Sequence, residues 1–342
     1  MAFDGGFLYR LIQELKSAID CHIEKIYQPS KDELVFLLRK KGFSKRLLIT
    51  AKSGSARIHF TENKYENPQV PPNFCMLLRK YLLSARLVDI KQPSLERIVE
   101  LRFSATNELG DSVLLTIVCE LIGNQSNVIL VRENGIIVDS LRHSDVETAK
   151  RLILPGAKYE YPESQEKINP IQANAATVCE QISSQQGELS NNILRVVAGF
   201  SPLVCREIEY MTDSTSLKGE SRKSALNSAF SAVLNELKNG RKGVIVYKDG
   251  TPYEYSYIDI NQYGNSFLKK DGGLTKNPQE GFHCTAAIDI SRLFQLLGEA
   301  AEELTVNENE QTALDTCRKN CGQNKAPQRV GKLQIRLVDP TK

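Results

Sequence analysis

The sequence predicts an α+β protein: a mixed, mainly antiparallel, β-sandwich-like domain with flanking helices, followed by a helical domain that contains a helix-hairpin-helix. Three observations lead to this prediction. Residues 85–141 are short runs rich in Ile, Val, Leu and Phe between turn residues, which is typical of consecutive antiparallel strands. Apolar residues recur at helical spacing in 7–19, ahead of those strands. Residues 171–237 keep a helical pattern over a longer stretch, broken by polar residues at 183–190.

The N-terminal part should form one helix, four strands and a second helix. Asp4 is placed to cap the first helix, whose apolar stripe would pack on a sheet. Residues 74–85 have the periodicity of the second helix. Because most connections between strands are short, neighbouring strands should be antiparallel. The predicted strands cover 22–28, 33–41, 45–51 and 55–60.

Two polar stretches interrupt the sheet predicted for 85–141. Glu96 and Arg97 stand at the entrance of one strand, and residues 120–127 connect two others. Loops carried on a rigid sheet are common places for binding residues, so both stretches are candidate sites. Arginine can stack on a base or clamp a phosphate, but a strand-end ion pair explains Glu96 and Arg97 equally well. The 120–127 segment can contact unstacked bases, or its polar side chains can satisfy their own backbone.

The helical region carries a further candidate site. Residues 194–208 fit two short helices joined by a tight hairpin, with Ser201 as N-cap and Pro202 at the first helical position. Backbone N–H groups at such a helix start can hold a phosphate, so Gly199, Phe200 and Ser201 are candidate phosphate-binding residues. A plain helical turn packed inside the domain explains the same pattern, and both interpretations stay open.

Further elements complete the predicted organisation. Residues 144–153 are predicted to be helical, 243–260 to form a hairpin with Asp249 and Gly250 in its turn, and 286–304 to form a helix. The domains expected are a β-rich domain over 1–165, a helix-hairpin-helix domain over 166–240, a hairpin and helix closing the first domain over 241–305, and a basic tail over 306–342.

Composition and motifs favour a binding protein over an enzyme. The net charge is only +3, so nucleic-acid binding by the folded body would depend on local basic patches. The histidines and the eight cysteines lack metal-ligand spacing, and no nucleophile, phosphate-loop or dinucleotide motif appears. We therefore expect no catalytic residue, no metal and no cofactor. With no signal peptide or membrane span in the sequence, the expected location is the cytoplasm.

Seven stretches, taken together and in order, resemble the N-terminal half of the NFACT family. They are DGGFLYRLIQEL, HIEKIYQPSKDELVFLLR, FCMLLRKYLLSARL, ERIVELRF, ELIGNQSNVILV, LPGAKYEYP and GFSPLVCREI. The resemblance implies a domain similar to that of formamidopyrimidine DNA glycosylases, followed by a helix-hairpin-helix domain. Family members continue into a coiled coil and a second globular domain, and the basic tail would lead toward that coiled coil.

The resemblance also implies a function and a site. Its activity is ribosome-associated quality control: binding an obstructed large ribosomal subunit and recruiting alanyl-tRNA for template-free alanine tailing of the nascent chain. Glu96 and Arg97 match the family's Asp-Arg motif, with Glu in place of Asp. Residues 120–124 match a loop that usually reads Glu-Ile-Met-Gly-Arg and approaches the anticodon arm, with Asn124 in place of the final Arg. The implied tRNA-binding residues are therefore Glu96, Arg97, Glu120, Leu121, Ile122, Gly123 and Asn124.

Two alternatives follow from the same resemblance. A glycosylase-like nucleic-acid-binding protein or DNA glycosylase/lyase would share the domain order, but those enzymes attack through an N-terminal proline amine and this chain begins Met1-Ala2-Phe3. A fibronectin-binding surface adhesin follows from an older label of the family, and the missing export signal counts against it.

Overall fold

The computed structural model describes residues 3–147, 149–240, 243–248, 251–264 and 268–271. Three sequence predictions lie outside the described residues: the turn at Asp249 and Gly250, the helix over 286–304 and the basic tail over 306–342.

The first helix, α1 (Gly5–Leu15), begins where the sequence predicted and continues into a 3₁₀ turn (Lys16–Ala18). The Asp4 carboxylate caps it, since its Oδ1 atom accepts from the Phe7 N–H at 2.7 Å. The apolar side chains of α1 are buried, as an amphipathic helix packed on a sheet requires.

Nine strands form one antiparallel sheet, in the order β4-β3-β2-β1-β5-β6-β7-β8-β9. The pairs follow the chain, as expected for short connections. The strands are β1 (His22–Ser30), β2 (Glu33–Lys40), β3 (Phe43–Thr50), β4 (Arg57–Thr61), β5 (Arg86–Lys91), β6 (Ile98–Thr106), β7 (Ser112–Glu120), β8 (Asn127–Arg132) and β9 (Ile137–Ser140).

The sheet has two halves that meet at one point. The pair His22–Arg86 joins β1 to β5, and consecutive strands pair on either side of it. Helix α2 (Asn73–Leu82) lies between the halves in sequence and packs against β1 and β6. The α+β class with a large antiparallel sheet is thus confirmed.

Four helices follow the sheet, in the region where the sequence predicted helical structure. They are α3 (Ala175–Ser183), α4 (Leu189–Val196), α5 (Pro202–Ser216) and α6 (Arg222–Asn239). Helices α4 and α6 both pack on α5, and α6 also contacts α1. The helical bundle is therefore held against the start of the chain.

A second sheet has the order β11-β10-β12, with β10 (Val244–Lys248), β11 (Thr251–Ser256) and β12 (Leu268–Asp271). Its first two strands are the hairpin that the sequence predicted. The buried carboxylate of Glu207 accepts from the backbone N–H groups of Asn261 and Gln262 at 2.9 and 3.0 Å. This contact ties the segment after β11 to α5.

The helix predicted for 144–153 is wrong. The described residues of this segment form a loop, closed where Ser144 Oγ accepts from the Ile153 N–H at 2.7 Å. Val146 and Leu152 are 65% and 44% exposed, whereas Ile153 is buried in an apolar cluster. The apolar residues therefore do not share one buried face, which a packed helix would need.

Candidate nucleic-acid interface

A cleft of about 1400 Å³ brings the candidate stretches together. Its lining includes Glu96 and Arg97, the loop after β7 and the connection between α4 and α5. These stretches are far apart in the sequence, and the cleft lies where the segments before α1, β6 and α5 meet. We call this space the cleft below.

The turn before β6 carries strained backbone. Ser94 and Leu95 both have positive φ, 43° and 59°, which is costly for residues other than glycine. Gln92 supports the turn by donating through Nε2 to the carbonyls of Gly5 at 2.8 Å and Glu96 at 2.9 Å. This strain is stored at the point where the chain presents Glu96 and Arg97.

Arg97 is half-buried in the wall of the cleft. Within the described part of the chain, its guanidinium group makes no side-chain hydrogen bond or ion pair, and neither does the Glu96 carboxylate. The ion pair that offered an alternative explanation for these two residues is therefore not formed. The Arg97 carbonyl accepts from the Leu121 N–H at 2.8 Å, which fixes this turn to the loop after β7.

Asp4 joins two helix starts inside the cleft. One carboxylate oxygen accepts from Phe7, and the other accepts from the Ser201 N–H at 2.8 Å. Burial raises the pKa of Asp4 to about 6, although both N–H donors and the nearby Arg97 charge oppose that rise. The sequence identified Asp4 as a cap of α1 only, since a contact 197 residues away leaves no local signal.

Two glycines allow these segments to approach closely. A Cβ atom on Gly5 would lie 1.7 Å from the Leu95 carbonyl oxygen, and one on Gly199 would lie 2.9 Å from the Leu95 Cβ. The Gly6 N–H also donates to the Gly199 carbonyl at 2.8 Å. Only residues without side chains fit this crossing of three backbone segments.

The loop after β7 divides into buried and exposed residues. Glu120 is 1% exposed, and both of its oxygen atoms accept from Arg151 at 2.6 Å. The Tyr159 hydroxyl donates to the same carboxylate at 2.8 Å. Leu121 is buried in the core. These two predicted site residues are therefore buried and stabilise the loop from the protein interior.

The exposed tip of this loop comes next. Ile122 is half-buried against an apolar cluster, and Gly123 has a positive φ of 55° that turns the chain. Asn124 and Gln125 are exposed and line the cleft. Their amide groups can donate to and accept from a nucleic acid. Of the predicted residues 120–124, Asn124 is thus the one whose side chain is exposed in the cleft.

Ser126 and Asn127 hold the base of the loop. Ser126 Oγ donates to the Gly123 carbonyl at 2.7 Å. The Asn127 side chain donates to the Arg142 carbonyl at 2.8 Å and accepts from the Arg142 N–H at 3.0 Å. These bonds satisfy the protein's own backbone, so this part of the loop is structural.

The connection between α4 and α5 starts the second helix at the residue that the sequence predicted. Gly199 has a φ of 78°, Ser201 is the residue before α5, and Pro202 is its first residue. The Ser201 side chain makes no capping bond. Phe200 is buried against Phe230, with ring centroids 6.1 Å apart. Whether these residues bind phosphate stays a prediction.

The sequence analysis missed several residues that shape the cleft. Arg142 pairs with Asp32 at 2.7 Å and Arg151 with the buried Glu120, and the sequence analysis gave neither arginine a role. Tyr161 was assigned no role and lines the cleft. The partners of these arginines lie far away in the sequence, so no local pattern indicated the contacts.

None of the described helices is both long and apolar enough to cross a bilayer.

The chain falls in a defined class of protein. The family described as NFACT N-terminal and middle domains matches residues 4–275, so the chain belongs to the NFACT family. This confirms the resemblance found in the sequence.

Relatives and a solved structure agree with this assignment. The "Rqc2 homolog RqcH" of Bacillus subtilis (strain 168) is 36% identical over 244 residues, 70% of this chain and 42% of the relative. The human "Ribosome quality control complex subunit NEMF" is 27% identical over 191 residues, 54% of this chain and 16% of the relative. The crystal structure of a fibrinogen binding protein from Staphylococcus aureus has a TM-score of 0.68 and 28% identity, covering 79% of this chain and 96% of that one. This chain thus spans about two fifths of the bacterial relative's length.

Proposed function

We propose that this chain binds tRNA and the large ribosomal subunit in ribosome-associated quality control. Membership of the NFACT family and the similarity to a relative named as a ribosome quality control complex subunit support this role. In the finer form of the proposal, the bound tRNA is alanyl-tRNA, and the complex adds alanine residues to the C-terminus of a stalled chain. The protein selects and positions tRNA, and the ribosome makes the peptide bond.

The observation that carries the proposal is Arg97. Arg97 is half-buried, and no side chain in the described part of the chain forms a hydrogen bond or ion pair with its guanidinium, so a ligand can supply the anion or aromatic face that this group binds. RNA offers both, as phosphate and as base. The neighbouring Glu96 can orient this group or accept from a base amino group.

The loop after β7 supports the same proposal from the other wall. Asn124 and Gln125 present amide donors and acceptors to the cleft, which suits the edges of unpaired bases. Asn124 stands where the family pattern has arginine, so this chain should attract phosphate less strongly through the loop. Arg97 then carries a larger share of the affinity.

A binding experiment with a matched control tests the proposal. Arg97→Ala is compared with Arg39→Ala, a change on β2 to an exposed arginine that pairs with Glu24 at 3.3 Å and does not line the cleft. We expect Arg97→Ala to weaken tRNA binding in a filter assay by about tenfold. The slope of the logarithm of the binding constant against the logarithm of the salt concentration should become shallower by about one. Arg39→Ala should bind as the wild type does.

Two comparisons in the same assay separate the location of the tRNA site from its specificity for alanyl-tRNA. Equal affinities for wild type and Arg97→Ala would remove the cleft as the tRNA site. Equal affinities of the wild type for alanyl-tRNA and for other aminoacyl-tRNAs would remove the alanine-specific form of the proposal only.

A second candidate function is binding of fibrinogen, because that is the activity named for the staphylococcal protein of similar structure. Surface plasmon resonance with immobilised fibrinogen tests it directly. Saturable binding that survives in Arg97→Ala would favour this candidate, and no binding at micromolar protein would reject it.

A further inference from the structure

Tyr161 is the open aromatic surface of the cleft. Three described aromatic residues line it: Phe3, Tyr161 and Phe200. Phe200 is buried against Phe230, and Phe3 packs on Phe7 with ring centroids 6.1 Å apart. Tyr161, in contrast, is 52% exposed. A tyrosine with this much free surface in a polar cleft is available to a ligand.

The ring of Tyr161 is held in place at two points. Tyr159 meets it edge to face, with centroids 5.3 Å apart and planes at 79°, and Tyr159 is itself bonded to the buried Glu120. The Tyr161 hydroxyl donates to the Glu100 carboxylate on β6. A ring that is fixed before binding loses little conformational freedom when a ligand stacks on it.

The phenol group stays neutral in this position. Burial of the hydroxyl, and then the hydrogen bond to Glu100, raise the pKa of Tyr161 to about 12. A neutral ring presents no negative charge to a polyanion. On the same face of β6, two residues beyond Glu100, Arg102 supplies a nearby positive charge that can attract the backbone of a stacked nucleotide.

The charge of the cleft favours unpaired nucleotides over a duplex. Among the described residues, the charged side chains of the lining comprise six acids and six bases, so these walls have no strong overall attraction for a double row of phosphates. Single-stranded RNA is held instead by stacking on aromatic rings and by contacts to base edges. The fixed ring of Tyr161, the exposed amides of Asn124 and Gln125 and the guanidinium of Arg97 match that second mode.

We propose that Tyr161 is the platform on which an unpaired base of the bound RNA stacks, so that the cleft takes the single-stranded loop of a tRNA. This inference rests on the proposed tRNA-binding function. It adds a contact residue and a class of ligand to that function.

The test uses a stem-loop RNA that carries 2-aminopurine in its loop, since the fluorescence of this base falls when it stacks. Tyr161→Leu removes the ring at similar volume, and Tyr161→Phe keeps the ring while removing the bond to Glu100. Tyr210→Leu on α5 is the control, because Tyr210 is 42% exposed and does not line the cleft. Thermal unfolding of each variant checks that all are folded.

We expect Tyr161→Leu to bind about tenfold more weakly and to abolish the quenching, whereas Tyr161→Phe and Tyr210→Leu stay within about twofold of wild type. A duplex RNA of the same stem should compete poorly. If Tyr161→Leu bound and quenched as the wild type does while Arg97→Ala bound more weakly, the stacking proposal would be overturned. The proposal of tRNA binding would then stand. If Arg97→Ala also bound as the wild type does, the cleft would be removed as the tRNA site, and the stacking proposal that rests on it would fail with it. An equal loss in Tyr161→Phe and Tyr161→Leu would assign the effect to the hydroxyl and would overturn stacking.

Discussion

Asp4 connects the starts of α1 and α5 through a single carboxylate, and this position makes stability depend on pH. Its pKa rises from an ordinary 3.8 to about 6 on folding because the group is buried. The folded protein therefore holds this proton more tightly than the unfolded chain does. The contribution of Asp4 to stability is full below the lower pKa and is lost as the pH rises through the higher one.

Asp4→Asn tests this linkage. The amide cannot titrate, so the variant lacks the pH dependence that Asp4 contributes to stability. We expect the free energy of unfolding of the wild type, relative to that of the variant, to fall by roughly 2 kcal/mol between about pH 4 and about pH 7. Urea unfolding at several pH values measures the difference, and a constant difference across this range would contradict the raised pKa.

Glu120 and Arg97 should respond differently to mutation, because one is buried in an ion pair and the other is an open cation. Glu120→Gln leaves Arg151 without its anion and should lower the free energy of unfolding by about 2–4 kcal/mol. Arg97→Ala should change it by less than about 1 kcal/mol while weakening RNA binding. Chemical denaturation of both variants checks the contrast, and similar losses of stability would argue against it.

Part of the site could be predicted from single residues. The cap at Asp4, the glycine turn at Gly123 and the start of α5 at Ser201 follow from local chemistry. The burial of Glu120 could not be predicted, because its partner Arg151 lies 31 residues away on a loop. A charged residue at a strand end has the same sequence signature whether it faces solvent or a buried partner.

At the scale of elements, the turn before β6 crosses the connection between α4 and α5 at Leu95 and Gly199. This crossing requires glycine at position 199 for two reasons. Gly199 has a positive φ and no room for a Cβ, whereas Gly42 has a similar φ of 74° and open space around it. Both alanine variants share the backbone cost, so Gly199→Ala should be less stable than Gly42→Ala by about 1–3 kcal/mol. Equal melting temperatures for the two variants would show that the crossing tolerates a methyl group.

The tip of the loop after β7 is where one added charge should strengthen binding. Asn124→Arg places a cation on an exposed residue of the cleft. We expect about threefold to tenfold tighter tRNA binding at low salt. The slope of the logarithm of the binding constant against the logarithm of the salt concentration should become steeper by about 0.7–0.9. Ser53→Arg, an equal change on an exposed turn outside the cleft, is the control. If both variants gained equally, the effect would come from net charge and not from the loop.

Elements were predicted well where one face is buried. The strand pairs from β1 to β9 follow from alternating apolar runs and short turns. The 144–153 segment was mistaken for a helix because its apolar residues have suitable spacing, although two of them point to solvent. Periodicity reports spacing only, and the buried partner that decides between helix and loop is a tertiary feature.

At the scale of the whole molecule, the cleft exists because distant segments meet. The start of the chain, the turn before β6, the loop after β7 and the connection before α5 come together through backbone bonds and glycine contacts. The sequence analysis placed the turn before β6 and the loop after β7 in one site, but it did not bring the start of the chain and the connection before α5 to them, because those contacts join residues far apart in the sequence. Their meeting is what makes a shared RNA surface possible.

Crosslinking measures that shared surface most directly. A tRNA substituted with 4-thiouridine is bound to the wild-type chain, irradiated with near-ultraviolet light and digested, and the crosslinked peptides are identified by mass spectrometry. We expect crosslinks in peptides from 94–97 and 122–125, and in the peptide that contains Tyr161. Crosslinks confined to the basic hairpin over 39–46, with none from the cleft, would contradict the proposal that these segments form one RNA-binding site.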